Sequence, residues 1–327
     1  MNELNFSIKL IPKALPGGPI ADLGCGNGLN SRLLAKHTNR NLICVDNRQG
    51  AIEATREKMR GFKSTFLLND VCRLGIKDNS CALVYASRIF SHIKDNYFKF
   101  LDPKKKFLVI FRGINTDYFD SSTTLDSDED KLLKQWEINR GKKLILMPGR
   151  LTSWKGQELF IEAINLVNKE LGHEAFYAVL LGSEQGRKIY KKKLMRLVEQ
   201  YRLNDQLRFI DECKKMPTAY KIADIVVSAS IEPEAFGRVS VEAQSMEKPI
   251  IASNIGGSNE TIINNKTGIL FESGKADSLS KKIIEVLQLD ESTLKSMGNE
   301  GRKNVIKKFN IEKMCFSTYS EYKKLFN

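Results

Sequence analysis

Two glutamates, Glu234 and Glu242, stand eight positions apart within SASIEPEAFGRVSVEAQSMEKPIIASNIGG, residues 228–257. Glu234 falls in an acidic, proline-containing loop, and Glu242 inside the helix that the pattern starts near Phe236 and Gly237. Two carboxylates about two helical turns apart can bond different hydroxyls of one elongated polar ligand. Upstream, the apolar run LILMPGR leads to a basic pair, Arg150 and Lys155, framed as Gly149-Arg150 and Lys155-Gly156. Nearer the start, three alternating glycines, Gly24, Gly26 and Gly28, follow Asp22, while Asp46 and Asp70 come at or just past the ends of the next two apolar runs. Such glycines let a turn bring its amides against a ligand, and an acid ending the second strand is placed to accept hydrogen bonds from ribose hydroxyls.

Each grouping needs a strand edge to hold it. Apolar runs near residues 20, 42, 65, 82 and 107 alternate with helical patterns and predict a small five-stranded Rossmann-like sheet. A second series, at 144–147, 176–181, 207–210, 225–229, 249–252 and 268–271, predicts six parallel strands. The expected fold is α/β, with two Rossmann-like domains facing across a cleft and the N-terminal one small and atypical. Residues 1–112 form the first domain, 113–141 a hinge and linker, and 142–327 the second domain with its C-terminal helices. The acidic stretch before the pattern Leu132, Leu133, Trp136 spells Asp126-Ser127-Asp128. Acids at a helix N-terminus complement the macrodipole, so no metal is expected there.

Composition narrows the classes. The 327 residues suffice for two domains, and 42% hydrophobic with 28% charged content suits a soluble globular protein. No apolar run approaches membrane-spanning length and the N-terminus shows no signal core, which predicts a cytoplasmic protein. Six cysteines without a CxxC pair read as reduced thiols, with no metal or disulfide framework. Net charge is +13, much of it lysine in clusters such as 187–196 and 303–308, without the aromatic stripe that stacks bases. Nucleic acid is therefore not an expected partner; solvated helix faces explain the lysines, and attraction to an anionic membrane surface is the sharper alternative. His37, His92 and His173 read as surface or helix histidines.

From about residue 86 onward the chain resembles family 4 of the retaining GT-B glycosyltransferases. The resemblance rests on Glu234 and Glu242 with Phe236-Gly237 and Gly256-Gly257, on the Gly149-Arg150 to Lys155-Gly156 frame, and on the segment Gly113–Phe119 that closes the first domain. It implies a nucleotide-sugar donor, UDP- or GDP-linked, with no further cofactor. Arg150 and Lys155 would hold the diphosphate, helped by Gly149 and the amides of Gly237, Arg238 and Val239. Glu234 would bond the sugar and Glu242 the ribose. Asp211 to Lys214, Cys213 included, would meet the base, with Trp154 and Phe236 as donor-site aromatics. The acceptor would be a glycan or a lipid-linked acceptor, the latter open to peripheral contact with a membrane.

Residues 15–85 resemble instead the first half of a class I methyltransferase. DLGCGNG with Asp22, Gly24, Gly26 and Gly28 matches its first motif, Asp46 its ribose-binding acid, and Asp70 the residue near adenine. That implies S-adenosylmethionine, with nicotinamide binding the natural competitor for a glycine loop. The two resemblances meet near Tyr85–Arg88. Three activities follow: a retaining glycosyltransferase, a methyltransferase or bifunctional fusion, and a nucleotide-sugar-binding remnant without catalysis.

Overall fold

The computed structural model describes residues 17–70, 76–77, 80–86 and 110–324, with side chains to 321. The chain divides into two compact units, Met1–Ile110 with Glu312–Asn327, and Phe111–Ile311.

The first unit contains β1 (Ile20–Leu23), α1 (Leu29–Thr38), β2 (Leu42–Asp46), α2 (Gln49–Lys58), β3 (Ser64–Leu68) and β4 (Leu83–Ala86). Its strands pair in parallel in the order β3-β2-β1-β4. Ile20, Leu42 and Cys44 from the strands and Leu34 from α1 are fully buried and form its core. The chain reverses direction across the sheet between β1 and β4, and the glycine loop leaves β1 at that point. The expected strand near residue 107 and residues 87–88 of the junction fall outside the described residues.

The second unit begins earlier than its sequence pattern suggests. Residues 113–141, expected as hinge and linker, are part of its core: Ile114, Phe119, Leu133, Trp136 and Ile138 are all buried in one cluster with Leu144 and Leu146. The polar, acidic residues that make the stretch look like a linker belong to α3 (Asp126–Gln135), where Asp126, Ser127 and Asp130 are exposed and Leu133 is buried. Asp126, Asp128 and Glu129 occupy its first turn, and Lys134 its last, the polarity that suits the helix dipole.

Then follow β5 (Lys143–Pro148), α4 (Gln157–Leu171), β6 (Phe176–Leu181), α5 (Lys188–Gln200), β7 (Leu207–Ile210), α6 (Met216–Ile222), β8 (Ile225–Ser228), α7 (Arg238–Ser245), β9 (Ile250–Ser253), α8 (Ser258–Thr261), β10 (Ile269–Phe271), α9 (Ala276–Leu287) and α10 (Glu291–Lys308). All six strands pair in parallel, in the order β10-β9-β8-β5-β6-β7. Alternate side chains feed two cores: Ile145, Met147, Phe176, Ala178 and Leu180 enter one, and Leu144, Leu146, Tyr177, Val179 and Leu181 the other. Helices therefore cover both faces of the sheet, which is why its strands read as unbroken apolar runs.

The ends of this unit are tied together. The Ile114 N–H donates to the Phe309 carbonyl at 2.8 Å, and the Ile311 N–H donates to the Ile114 carbonyl at 2.9 Å. Arg302 donates to the carbonyls of Phe119 at 3.1 Å and Ser245 at 2.6 Å and pairs with Asp120. A last helix, α11, spans Ile311–Lys324.

Candidate functional site

The strand order of the second unit starts at β5, runs outward through β6 and β7, and resumes on the other side at β8. Loops leaving β5 and β8 must therefore part, and in open α/β sheets the crevice between them is where ligands bind. A cavity of ≈ 230 Å³ opens there, lined by Pro148, Gly149, Arg150, Leu181, Gly182, Glu212, Cys213, Met216, Tyr220, Val239 and Glu242.

The β5 loop supplies the cations. Arg150 is exposed and its guanidinium has no carboxylate partner among the described residues. Its carbonyl accepts from Gln157 Nε2 at 2.9 Å, which fixes the loop to the start of α4. Lys155 is engaged: its Nζ donates to Glu234 Oε1 at 2.6 Å and lies 4.6 Å from the centroid of the Trp154 ring. Ser230 Oγ donates to the same glutamate oxygen. Both charged side chains of this pair are mostly buried, 13% and 16% exposed, so the low local dielectric strengthens it.

The β8 loop and α7 supply the acids. Glu242 is 8% exposed; Tyr220 Oη donates to its Oε2 at 2.8 Å, and Arg238 donates to Oε1 from Nε at 3.1 Å and from Nη2 at 2.9 Å. Burial, reinforced by the Glu242 carboxylate, holds the Tyr220 hydroxyl well above its ordinary pKa, so it stays a donor. Gly237 takes the left-handed conformation at φ 73° and starts α7, whose first amides lack intrahelical acceptors. The glycine pair closes the loop from below. A Cβ at Gly256 would stand 2.7 Å from Glu234 N, one at Gly257 2.7 Å from Phe236 Cα, and the Gly257 N–H donates to the Glu234 carbonyl at 2.7 Å.

Two expected contacts lie elsewhere. Phe236, expected as a donor-site aromatic, is 7% exposed and packs its ring into the core at 5.8 Å from Phe309. Asp211 turns to Lys191, 2.6 Å away, and is absent from the cavity lining, whereas its neighbours Glu212 and Cys213 line it. Burial raises the Cys213 thiol pKa. Tyr220, Ser230 and Met216 escaped the sequence reading: the first two act on the glutamates only through the fold, although Ser230 lies four residues before Glu234.

In the first unit the glycine loop is also formed, with Gly24, Gly26 and Gly28 at φ 69°, 58° and 75°. Asp22 is buried and accepts from Ser31 Oγ at 2.6 Å. Burial pushes its pKa up to about 6, against the Ser31 bond and with a further rise from Asp46. Asp46 is likewise buried, but its oxygens are taken: Oδ2 accepts from the Gly26 N–H at 3.0 Å, and Oδ1 from the Arg48 N–H and Nε, both at 3.1 Å. Burial raises its pKa, yet these bonds outweigh it and leave the carboxyl below its ordinary value. Asp70 is exposed past β3, its N–H donating to Asn69 Oδ1 at 2.9 Å. Among the described residues no three His, Cys, Asp or Glu side chains gather as a metal site, and no helix is long and apolar enough to cross a membrane.

Residues 128–304, more than half of the chain, match the family described as glycosyl transferases group 1. The chain belongs to that family. Residues 20–106 match a methyltransferase domain. It is 28% identical over 246 residues, 75% of its length, to an uncharacterized glycosyltransferase of Methanocaldococcus jannaschii, and spans 60% of that relative. Among solved structures, a glycosyltransferase from Rickettsia africae superposes with a TM-score of 0.72 at 29% identity, covering 92% of this chain and 81% of the other. Anabaena HepE, crystallised with UDP-glucose, superposes with a TM-score of 0.66 at 20% identity over 90% of this chain and 76% of its own. The two Rossmann-like parallel sheets are those of the GT-B glycosyltransferases.

Proposed function

We propose that residues 111–311 bind a nucleoside-diphosphate sugar and that the chain transfers the sugar, with retained anomeric configuration, to a glycan or lipid-linked acceptor. The observation that carries this reading is the unpaired Arg150 at the point of strand reversal, sharing one cavity with the buried carboxylate of Glu242. A cation left without a counter-ion beside a helix start suits an anionic diphosphate. Arg150 and Lys155 hold the diphosphate, Glu242 the ribose hydroxyls and Glu234 the sugar hydroxyls; Gly149, Gly237 and Val239 contribute close backbone. Glu212 and Cys213 border the base.

In the transfer the bond from the anomeric carbon to the phosphate oxygen breaks and a bond to the acceptor oxygen forms. The departing phosphate oxygen takes the acceptor proton, so no protein base is required. Negative charge grows on the diphosphate as it leaves, and that is where Arg150 contributes most. Tyr220 and Arg238 hold Glu242 in one rotamer, and Ser230 and Lys155 do the same for Glu234.

The match of residues 20–106 to a methyltransferase domain supports a second reading, methyl-donor binding by Asp22, Gly24, Gly26, Gly28, Asp46 and Asp70. For a ribose to use Asp46, Arg48 has to leave it. A thermal-shift panel with UDP, GDP, ADP, their sugar conjugates and S-adenosylmethionine separates the readings, since a ligand that binds only the folded state raises its melting temperature. Stabilisation by one nucleoside diphosphate, lost in Glu242→Ala, is the expected result and names the base. Stabilisation by S-adenosylmethionine alone, lost in Asp46→Ala, would transfer the function to the glycine loop, and donor binding without hydrolysis or transfer would leave a binding remnant.

A further inference from the structure

Helix α5 is built against its own dipole. Arg187 caps its start, Lys188, Lys191, Lys192 and Lys193 fill the first two turns, no acid lies in the first turn and no cation in the last. Positive charge at a helix N-terminus opposes the macrodipole, and a local rule broken in this way without a compensating contact marks a functional surface. By contrast α10 has Glu291 in its first turn and Lys307 and Lys308 in its last.

Compensation is partial. Lys191 pairs with Asp211 at 2.6 Å and Lys193 with Glu158 at 2.5 Å. Arg187, Lys188, Lys192 and Arg196 are exposed and have no carboxylate partner among the described residues. Helix α5 buries Leu194 and Val198, and the helical period sets Ile189, Lys192 and Arg196 on the opposite side, with Glu199, Lys188 and Met195 beside them, so three cations outnumber the one acid on this face. On that side Ile189 is 87% exposed, the highest value for a large apolar side chain among the described residues, and Met195 is 51% exposed.

We infer that the outward face of α5 docks on an anionic lipid surface, Ile189 entering the acyl boundary while Lys188, Lys192 and Arg196 meet the headgroup phosphates. Cations beside an exposed aliphatic side chain suit a bilayer, which rewards both; a nucleic acid or acidic peptide would leave Ile189 in water, and no aromatic stands on this face to stack on a base. The helix follows β6, whose last residue, Leu181, lines the cavity together with Gly182. This docking does not depend on the donor reading.

The test is co-sedimentation of the full chain with phosphatidylglycerol–phosphatidylcholine vesicles and with pure phosphatidylcholine vesicles, at low and at physiological salt. Binding to the anionic vesicles alone, weakened by salt, is expected. Near a charged membrane each basic side chain contributes roughly fivefold, so the triple variant Lys188→Glu, Lys192→Glu, Arg196→Glu should bind about a hundredfold or more weaker. Ile189→Asp should lose several-fold with the cations intact, and Lys303→Glu with Lys308→Glu on α10 should lose nothing. An unchanged melting temperature and nucleotide response in these surface variants shows that folding and the donor site are untouched. Equal binding by the triple variant, equal binding to neutral vesicles, or an Ile189→Asp variant indistinguishable from the parent would overturn the inference, the last reducing α5 to a general polyanion surface.

Discussion

Both units set glycines in a turn where a parallel sheet reverses its strand order, and both engage their acids within the chain; they differ in one cation. In the first, Asp46 is saturated by its own chain, through the Gly26 and Arg48 N–H groups and the Arg48 guanidinium. In the second, Glu242 is likewise held, by Tyr220 and Arg238, but it lines a cavity that also contains Arg150, a cation with no carboxylate partner among the described residues. A glycine loop makes close approach to a ligand feasible; what reports on use is whether the charged groups around it are still open to another molecule.

The largest effect that would sharpen this contrast is expected at Arg150. Arg150→Ala should lower turnover by about 10²–10³-fold, the scale of losing one charge-stabilising donor in a transition state, while donor affinity changes far less. Steady-state kinetics with a nucleotide sugar gives both numbers, and a loss confined to affinity would contradict the role.

Next comes a pH effect in the other unit. The Asp22 pKa is raised by burial to about 6, so the folded state binds this proton more tightly than the unfolded chain. Stability from this group is fully present below the ordinary pKa of 3.8, falls as pH rises, and by pH 7 the first unit is less stable by up to ~3 kcal/mol. Both tryptophans, Trp136 and Trp154, lie in the second unit, so circular dichroism should show a pH-sensitive urea transition that tryptophan fluorescence does not. Asp22→Asn should remove the pH dependence.

Glu242→Ala leaves the Tyr220 hydroxyl and the Arg238 guanidinium without their shared acceptor. Titration calorimetry should find the nucleoside diphosphate bound about thirtyfold or more weaker. Tyr220→Phe deletes one hydrogen bond to a charged group and should weaken binding by roughly tenfold with turnover nearly kept. If Asp46→Ala altered transfer as much as either, the contrast between the units would fail.

All six strands of the second sheet were legible, because strands covered on both faces are uninterrupted apolar runs with turn residues at their ends. Arg150, Lys155, Glu234 and Glu242 were legible through spacing along the chain. Their mutual contacts were not: Lys155 and Glu234 are 79 residues apart and Tyr220 and Glu242 are 22 apart, pairings that only the strand order creates. Residues 113–141 read as a linker because their composition is polar and acidic, yet the Leu132, Leu133, Trp136 spacing already carried the apolar stripe that docks α3. Phe236 read as a ligand contact because it stands between Glu234 and Gly237; its own ring packs inward, 5.8 Å from Phe309.

The polypeptide enters the second unit beside the place where it leaves, with Ile114 hydrogen-bonded to both Phe309 and Ile311. A unit whose two ends share one doorway meets the rest of the chain at a single place, so the sheet that holds Arg150 and Glu242 is threaded entirely between those ends. In this chain that doorway follows a segment that matches a methyltransferase domain.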